Sequence, residues 1–147
     1  MSSGVRELRV WQESVALAGD VIRAVRRDSR RETRIVSDSL METALAVSGH
    51  IADGYARPTP REQRESWLAA KRALLRLESH LAVARHADLI PAGSYTELTA
   101  RSAQASRLLT GYVVYLDRQL AEDAERPVLS GRLARSTVTP GSVDVPG

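Results

Sequence analysis

The chain lacks several features, and each absence narrows what the protein can be. It has no cysteine, which excludes a disulfide framework and a thiolate metal site. It has no phenylalanine and few aromatic residues, so stacking platforms for single-stranded nucleic acid are not evident. No segment approaches the roughly 20 apolar residues that a membrane-spanning helix needs. The first nine residues contain no apolar run, so we expect no signal peptide and a cytoplasmic protein.

Lysine is almost absent as well. Lys71 is the only lysine among 21 basic residues, and all the others are arginine. The formal net charge is +3, and 147 residues fit one domain with a hydrophobic core of its own. The abundance of arginine has two interpretations, a genome rich in G and C or a surface selected to bind anions. Net charge informs on solubility and non-specific association, so it does not decide between them.

Apolar residues recur with a helical period in four segments. The first stripe comprises Trp11, Val15, Ala18, Ile22 and Val25. The second comprises Val36, Leu40, Ala44, Val47, Ile51 and Tyr55. The third comprises Trp67, Ala70, Leu74, Leu77, Leu81 and Ala84, and the fourth comprises Leu98, Ala105, Leu109, Tyr112, Leu116 and Leu120. Four helices with short connections and no strand pattern predict an all-α fold, an antiparallel up-down four-helix bundle.

The pattern divides the chain into three parts. We expect residues 1–8 to form an N-terminal arm and residues 9–125 to form the four-helix bundle. Residues 126–147 mix Pro, Gly, Ser, Thr and Val without a period, which predicts a disordered C-terminal tail. Within the bundle, Thr59 is predicted to cap the third helix, because Pro60 suits the first helical position and Glu62 completes the spacing of a capping box.

Some residues of the helical segments are assigned to packing or to assembly. Gly49 and Gly54 lie in the second segment, where glycine is a weak helix former, and we interpret both as packing positions. Trp11 and Trp67 lie on the apolar stripes and are interpreted as core residues rather than ligand contacts. Apolar residues beyond a single stripe predict a subunit interface. These are Leu68, Leu75, Leu108, Val113 and Tyr115.

Motifs for catalysis or cofactor binding are not found. A di-iron bundle needs Glu-x-x-His pairs, but the residues three before the histidines are Val47, Leu77 and Val83. The sequence has no His-Glu-x-x-His zinc motif, no glycine-rich phosphate loop and no nucleophile elbow. His50 and Asp53 are spaced to share a helix face, as an acid/base pair or through a cap or interface hydrogen bond. We expect no enzyme activity, no catalytic residue, no metal and no cofactor.

The densest positive charge lies where the first helical segment ends and the second begins. This arginine cluster comprises Arg23, Arg26, Arg27, Arg30, Arg31 and Arg34. Cations at a helix end suit the negative end of the helix dipole, which is a purely structural explanation. Guanidinium groups also match phosphate oxygens, so the cluster is a candidate nucleic-acid-binding surface. Asp28 and Glu32 interrupt the run and are expected to dilute its field.

Four short segments together carry a specific combination of motifs. They are Leu8-Arg9-Val10-Trp11-Gln12, the stretch from Val47 to Arg57, the group Leu74, Leu77 and Glu78, and Ala87-Asp88-Leu89-Ile90 followed by Tyr95. Over about Glu7 to Leu120, the chain resembles a bacterial family of four-helix-bundle proteins encoded in intervening sequences of 23S rRNA genes. The second helix of that family ends in Asn-Ile-Ala-Glu-Gly-Tyr-x-Arg, and here His50 and Asp53 replace the Asn and the Glu.

The resemblance implies an antiparallel bundle that assembles as a homopentameric ring. The accessory variability proteins of diversity-generating retroelements, a related group, share this bundle and ring, bind nucleic acid and work with a reverse transcriptase. The family often has an Arg-Arg pair midway along its second helix, where this chain has Met41-Glu42, so any nucleic-acid role shifts to the arginine cluster. Two hypotheses follow: a non-enzymatic homo-oligomer that binds RNA, DNA or a nucleoprotein, and a protein-interaction scaffold with no nucleic-acid binding.

Overall fold

The computed structural model describes residues 4–28 and 30–142, with side chains as far as residue 125. A short 3₁₀ turn, Gly4–Glu7, precedes four α-helices: α1 (Arg9–Val25), α2 (Arg34–Ala56), α3 (Pro60–His86) and α4 (Ala92–Ser142). Each helix packs against two others, in the pairs α1 with α2, α2 with α3, α3 with α4, and α4 with α1. The described residues contain no strand, so the predicted all-α fold class and the four helices are confirmed.

The two ends of the chain are described only in part. The range of α4 extends to Ser142, so the predicted boundary between bundle and tail at residue 126 falls within a helix. The side chains of residues 126–147 and the backbone of residues 143–147 lie outside the described residues, and the predicted tail stays a prediction. In the predicted N-terminal arm, the Arg6 carbonyl accepts a hydrogen bond from Gln12 Nε2 at 2.7 Å, which ties the 3₁₀ turn to α1.

The start of α3 follows from its local sequence. Thr59 is extended, with φ of −124° and ψ of 152°, and Pro60 occupies the first helical turn. Thr59 Oγ1 accepts a hydrogen bond from the Glu62 N–H at 3.2 Å and donates one to the Glu62 carboxylate at 3.0 Å. The cap satisfies one of the amide groups that the first turn leaves without a helical partner. The predicted cap is therefore confirmed.

Buried apolar residues from all four helices form one core. All six predicted stripe residues of α3 are buried, including Trp67. In α2 and α4 most residues of each stripe are buried: Leu40, Ala44, Val47, Ile51, Leu98, Ala105, Leu109 and Leu116. Val113, predicted for a subunit interface, is also buried, so that part of the interface prediction is wrong. Leu75 and Tyr115 of the same prediction are 66% and 54% exposed, while Leu68 and Leu108 are half-buried.

The stripe predicted for α1 is wrong over much of its length. The buried residues of α1 are Val10, Ser14, Leu17, Ala18, Val21 and Val25. Val15 is 41% exposed, and Trp11 and Ile22 are only partly buried. Helix α1 carries apolar residues on two adjacent faces, and its packing against α2 and α4 decides which face is buried. Ser14 fits the buried face because its hydroxyl donates to the Trp11 carbonyl at 2.7 Å.

The two glycines of α2 have different surroundings. Gly49 is exposed, and a Cβ built on it meets nothing within 4 Å, so its predicted packing role is wrong for the bundle. Gly54 is buried, and a Cβ built there would overlap the indole ring of Trp67 and lie 3.0 Å from Cβ of Ser66. The predicted close approach therefore occurs at Gly54, where the neighbour is a side chain of α3.

Candidate nucleic-acid interface

The connection between α1 and α2 is organised around Asp28. Its carboxylate accepts hydrogen bonds from Thr33 Oγ1 at 2.5 Å, from Ser37 Oγ at 3.0 Å and from Arg30 Nε at 3.0 Å. These bonds, with that from Thr33 as the largest cause, lower the pKa of Asp28 to about 2 against the opposing effect of desolvation. The Asp28 side chain is only 6% exposed. Asp28 thus fixes the path of the connection, and its ion pair with Arg30 offsets one positive charge of the cluster.

Two of the six arginines in the cluster are engaged by carboxylates. Arg30 pairs with Asp28. Arg23 pairs with Asp20, one turn earlier on α1, and Asp20 also accepts from Arg101 Nε of α4 at 2.9 Å. Arg23 lines a depression between α1 and α4 together with Ser94 and Leu98, among others. Its charge is therefore paired beside the contact between these helices.

Four arginines of the cluster are free. Arg26, Arg27, Arg31 and Arg34 are exposed, and none forms an ion pair or a side-chain hydrogen bond within the part of the chain that the structure describes. They lie on both sides of Asp28, at the end of the bundle where α1 ends and α2 begins. We call these four residues the free arginines.

The helix dipoles explain the charge of Arg26 but not that of Arg34. Arg26 caps the C-terminus of α1, where a cation complements the negative end of the dipole. Arg34 is the first residue of α2, where a cation faces the positive end of the dipole. An unfavourable charge at that position costs about 0.3–1 kcal/mol at low ionic strength. The helix dipole therefore does not explain the charge of Arg34. An anionic ligand bound at the start of α2 would offset this unfavourable interaction.

The motif at the end of α2 joins this helix to α3. The Asp53 carboxylate accepts from Arg57 at 3.0 Å and from Ser66 Oγ at 3.2 Å, and the bond with Arg57 is the main reason why the pKa of Asp53 is lowered. Trp67 Nε1 donates to the Ile51 carbonyl at 3.3 Å, across the same helix pair. The most distinctive stretch of the sequence is thus a corner that fixes the packing of α2 on α3.

The acid/base pair considered for His50 and Asp53 has no support in the geometry. Asp53 is held by Arg57 and Ser66, and no hydrogen bond joins it to His50 in the described chain. The alternative, a hydrogen bond near the helix end and at a helix contact, is what Asp53 forms. The described residues contain no group of three or more side chains that could hold a metal ion. Within the same ranges, none of the helices has the length and apolar character to cross a bilayer.

Two other arginines were not predicted as site residues. Arg72 and Arg76 lie one turn apart on α3, are exposed, and have no carboxylate partner within the described ranges. The sequence holds a signal for them, because neither has an acidic residue three or four positions away. Arg23, Arg57 and Arg85 each have one, and each forms an ion pair with it. Local spacing alone does not identify the free arginines, however. Arg31 and Arg34 have an acidic residue three or four positions away and are free, whereas Arg64 has none and pairs with Asp117 of α4.

Comparison with known proteins identifies one protein family. A search of curated proteins finds no significant match. The profile of the 23S rRNA-intervening sequence protein family matches residues 6–111. The matched range is well over half of the chain and includes the arginine cluster, the corner between α2 and α3, and the first part of α4. The chain therefore belongs to the 23S rRNA-intervening sequence protein family.

Proposed function

We propose that this protein is a non-enzymatic, cytoplasmic helical-bundle protein that binds RNA or DNA, or a nucleoprotein such as a reverse transcriptase complex. The binding surface is the set of free arginines, and the assembly is a homopentameric ring. One observation carries the proposal: four exposed arginines lie at one end of the bundle without a carboxylate partner among the described residues. The position of Arg34 supports it further, because that charge opposes the dipole of α2.

The mechanism of binding is electrostatic. Planar guanidinium groups match phosphate oxygens, and each phosphate that is neutralised releases counterions from the nucleic acid. Four contacts in one subunit predict that log affinity falls with log salt with a slope of about −3.6 for a duplex, or about a 100-fold loss between 50 and 200 mM salt. A ring repeats the surface around its axis. Weak contacts in several subunits then combine into strong overall binding of a long polymer.

The test is a binding titration of the full chain against structured RNA and duplex DNA at 50 and 200 mM salt. A variant in which the four free arginines are changed to Gln should lose binding and keep its mass in light scattering. Arg30 is left unchanged because it pairs with Asp28. A control changes four exposed arginines elsewhere to Gln and alters the net charge equally: Arg6, Arg9, Arg61 and Arg118. No binding by the wild type, or equal loss in both variants, would refute the proposal.

A second candidate function is a protein-interaction scaffold with no nucleic-acid binding. It is favoured by large apolar side chains on the surface, among which Ile35 is 73% exposed and Leu45 and Leu75 are also exposed. Such side chains mark protein contact surfaces when they are contiguous. Substituting Leu45 and Leu75 with Ser should then abolish capture of a protein partner, whereas neutralising the free arginines should leave capture intact. The opposite pattern would exclude the scaffold hypothesis.

A further inference from the structure

A second basic region lies in an open groove between α2 and α3. The groove has a volume of about 460 Å³, and alanines from both helices form its floor: Ala46, Ala69 and Ala73. Because alanine side chains are short, the two helices leave a trough along their contact. Longer polar side chains line the trough: Glu42, Thr43, His50, Arg72 and Arg76. The groove is therefore shallow and accessible, with an apolar floor and polar side chains along its walls.

Two cations that have no partner among the described residues lie on one wall of this groove. Arg72 and Arg76 are at positions i and i+4 of α3, which places their side chains about 5–6 Å apart at Cβ on one face of the helix. Like charges at this spacing repel each other and destabilise a helix. Arg64 and Arg85, on the same helix, reach carboxylates and pair with them. Arg72 and Arg76 thus lie one turn apart without a carboxylate partner among the described residues, and an anion between the two guanidinium groups would relieve the repulsion.

The opposite wall carries a single carboxylate. The hydrogen bonds from Ser66 to Asp53 and from Trp67 to Ile51 fix an antiparallel register in which Glu42 lies across from Arg76. No ion pair joins these two side chains in the described chain, so the carboxylate leaves the arginine without a partner. Glu42 weakens the positive potential of the groove. It is consequently a position where removal of charge should strengthen the binding of an anion.

We propose that the groove between α2 and α3 is a phosphate-binding site that holds backbone phosphates of the same polynucleotide that the free arginines bind. Arg34 and Glu42 are eight residues apart on α2, or about 12 Å along the helix axis. A nucleic-acid strand presents one phosphate per about 3.4 Å of its axis in a duplex. A single strand segment of a few nucleotides therefore spans both sets of arginines. This inference rests on the proposed function and adds the path of the ligand across the subunit.

The test compares three variants of the full chain in the same salt titrations. Changing Arg72 and Arg76 to Gln should lower affinity for RNA at least tenfold at 50 mM salt and reduce the salt slope by about 1.4–1.8. The control, Arg61→Gln with Arg118→Gln, removes the same charge from exposed positions outside the groove and should change affinity less than threefold. Glu42→Gln should tighten binding about two- to fivefold, a gain that misfolding does not produce. Equal losses in the groove and control variants, or no gain from Glu42→Gln, would overturn the inference.

A second measurement separates this inference from the proposed function. Pyrophosphate is titrated into wild-type protein, and the NMR signals of the arginine side chains are followed. Selective shifts of Arg72 and Arg76 that disappear in the double Gln variant support a phosphate site in the groove, even if no polynucleotide binds. If RNA binds through the free arginines while pyrophosphate leaves Arg72 and Arg76 unshifted, the groove site is refuted and the proposed function stands. If neither RNA nor pyrophosphate binds, both are refuted.

Discussion

Replacement of Gly54 by Ala should destabilise the bundle, although alanine is the better helix former. Gly54 is buried in α2 against the indole ring of Trp67, and an added Cβ would overlap that ring. The ring is held on two further sides. Its Nε1 donates to the Ile51 carbonyl at 3.3 Å, and the indole and the Tyr112 ring pack nearly at right angles, with centroids 4.6 Å apart. The indole therefore cannot move aside without losing these contacts.

The magnitude follows from the contacts that a shifted indole would lose. The hydrogen bond to Ile51 contributes about 1 kcal/mol, and the aromatic pair with Tyr112 contributes about 0.5–1.5 kcal/mol. Overpacking of a core costs about 1–3 kcal/mol in general. Alanine in place of glycine offsets about 1 kcal/mol of this through helix propensity. We expect a net decrease of about 0.5–1.5 kcal/mol in the free energy of unfolding.

The chain supplies its own control at Gly49. That residue is exposed on the same helix, and a Cβ there meets nothing within 4 Å. Gly49→Ala should therefore stabilise the protein by about 1 kcal/mol, since only the propensity changes. Both variants would be unfolded in urea at one protein concentration, with circular dichroism as the probe. Trp67 fluorescence in a Trp11→Phe background would report directly on the ring.

The two glycine variants should thus move stability in opposite directions. If Gly54→Ala proved as stable as Gly49→Ala, the close approach between α2 and Trp67 would not constrain the fold. A loss of stability in the Gly49→Ala variant would also contradict the reasoning. Unfolding midpoints that depend on protein concentration would indicate that assembly contributes to the measured stability.

Three further predictions concern single side chains. Asp28→Asn should lower the melting temperature at pH 6, because the folded pKa of Asp28 is about 2 and its ordinary value is 3.8; stability from the ionised form is present above pH 3.8 and lost toward pH 2. The difference between variant and wild type should shrink across that window, and a constant difference would contradict this role. Leu77→Ala, at a fully buried position, should reduce unfolding free energy by about 2–5 kcal/mol in urea denaturation. Leu75→Ser should reduce the oligomer mass in light scattering while changing stability of the isolated bundle by less than about 0.5 kcal/mol, and an unchanged mass would place the subunit contact elsewhere.

Much of the fold could be predicted because its signals are local. The cap at Thr59 and the buried stripe of α3 depend on residues three or four positions apart, which the sequence displays directly. The face of α1 could not be predicted in the same way. Val15 and Val21 belong to adjacent faces of similar hydrophobicity, and only contact with α2 and α4 buries one of them. Periodicity identifies a helix, but it does not orient a helix that has two apolar faces.

The candidate site also has features that the sequence predicts and features that it does not. The position of the arginine cluster, between α1 and α2, could be predicted from the sequence alone. Neutralisation of Arg23 is largely local, through Asp20 on the same helix. The burial of Asp28 is not local, because it requires Ser37 from the next helix to turn back onto the connection. The environment of the Asp28 carboxylate therefore depended on the tertiary structure, whereas both ion pairs within the cluster join residues two or three positions apart.

The sequence by itself determined the helical class, the cap of α3 at Thr59, the location of the positive charge and the family to which the chain belongs. Each of these depends on residue type and on spacings of a few positions. Only the tertiary structure decided that Gly54 rather than Gly49 lies against α3, and that Arg72 and Arg76 line a groove with Glu42. The physical reason is the same in both cases. Which side chains meet across two helices depends on their relative rotation and register, and the whole core fixes these through packing.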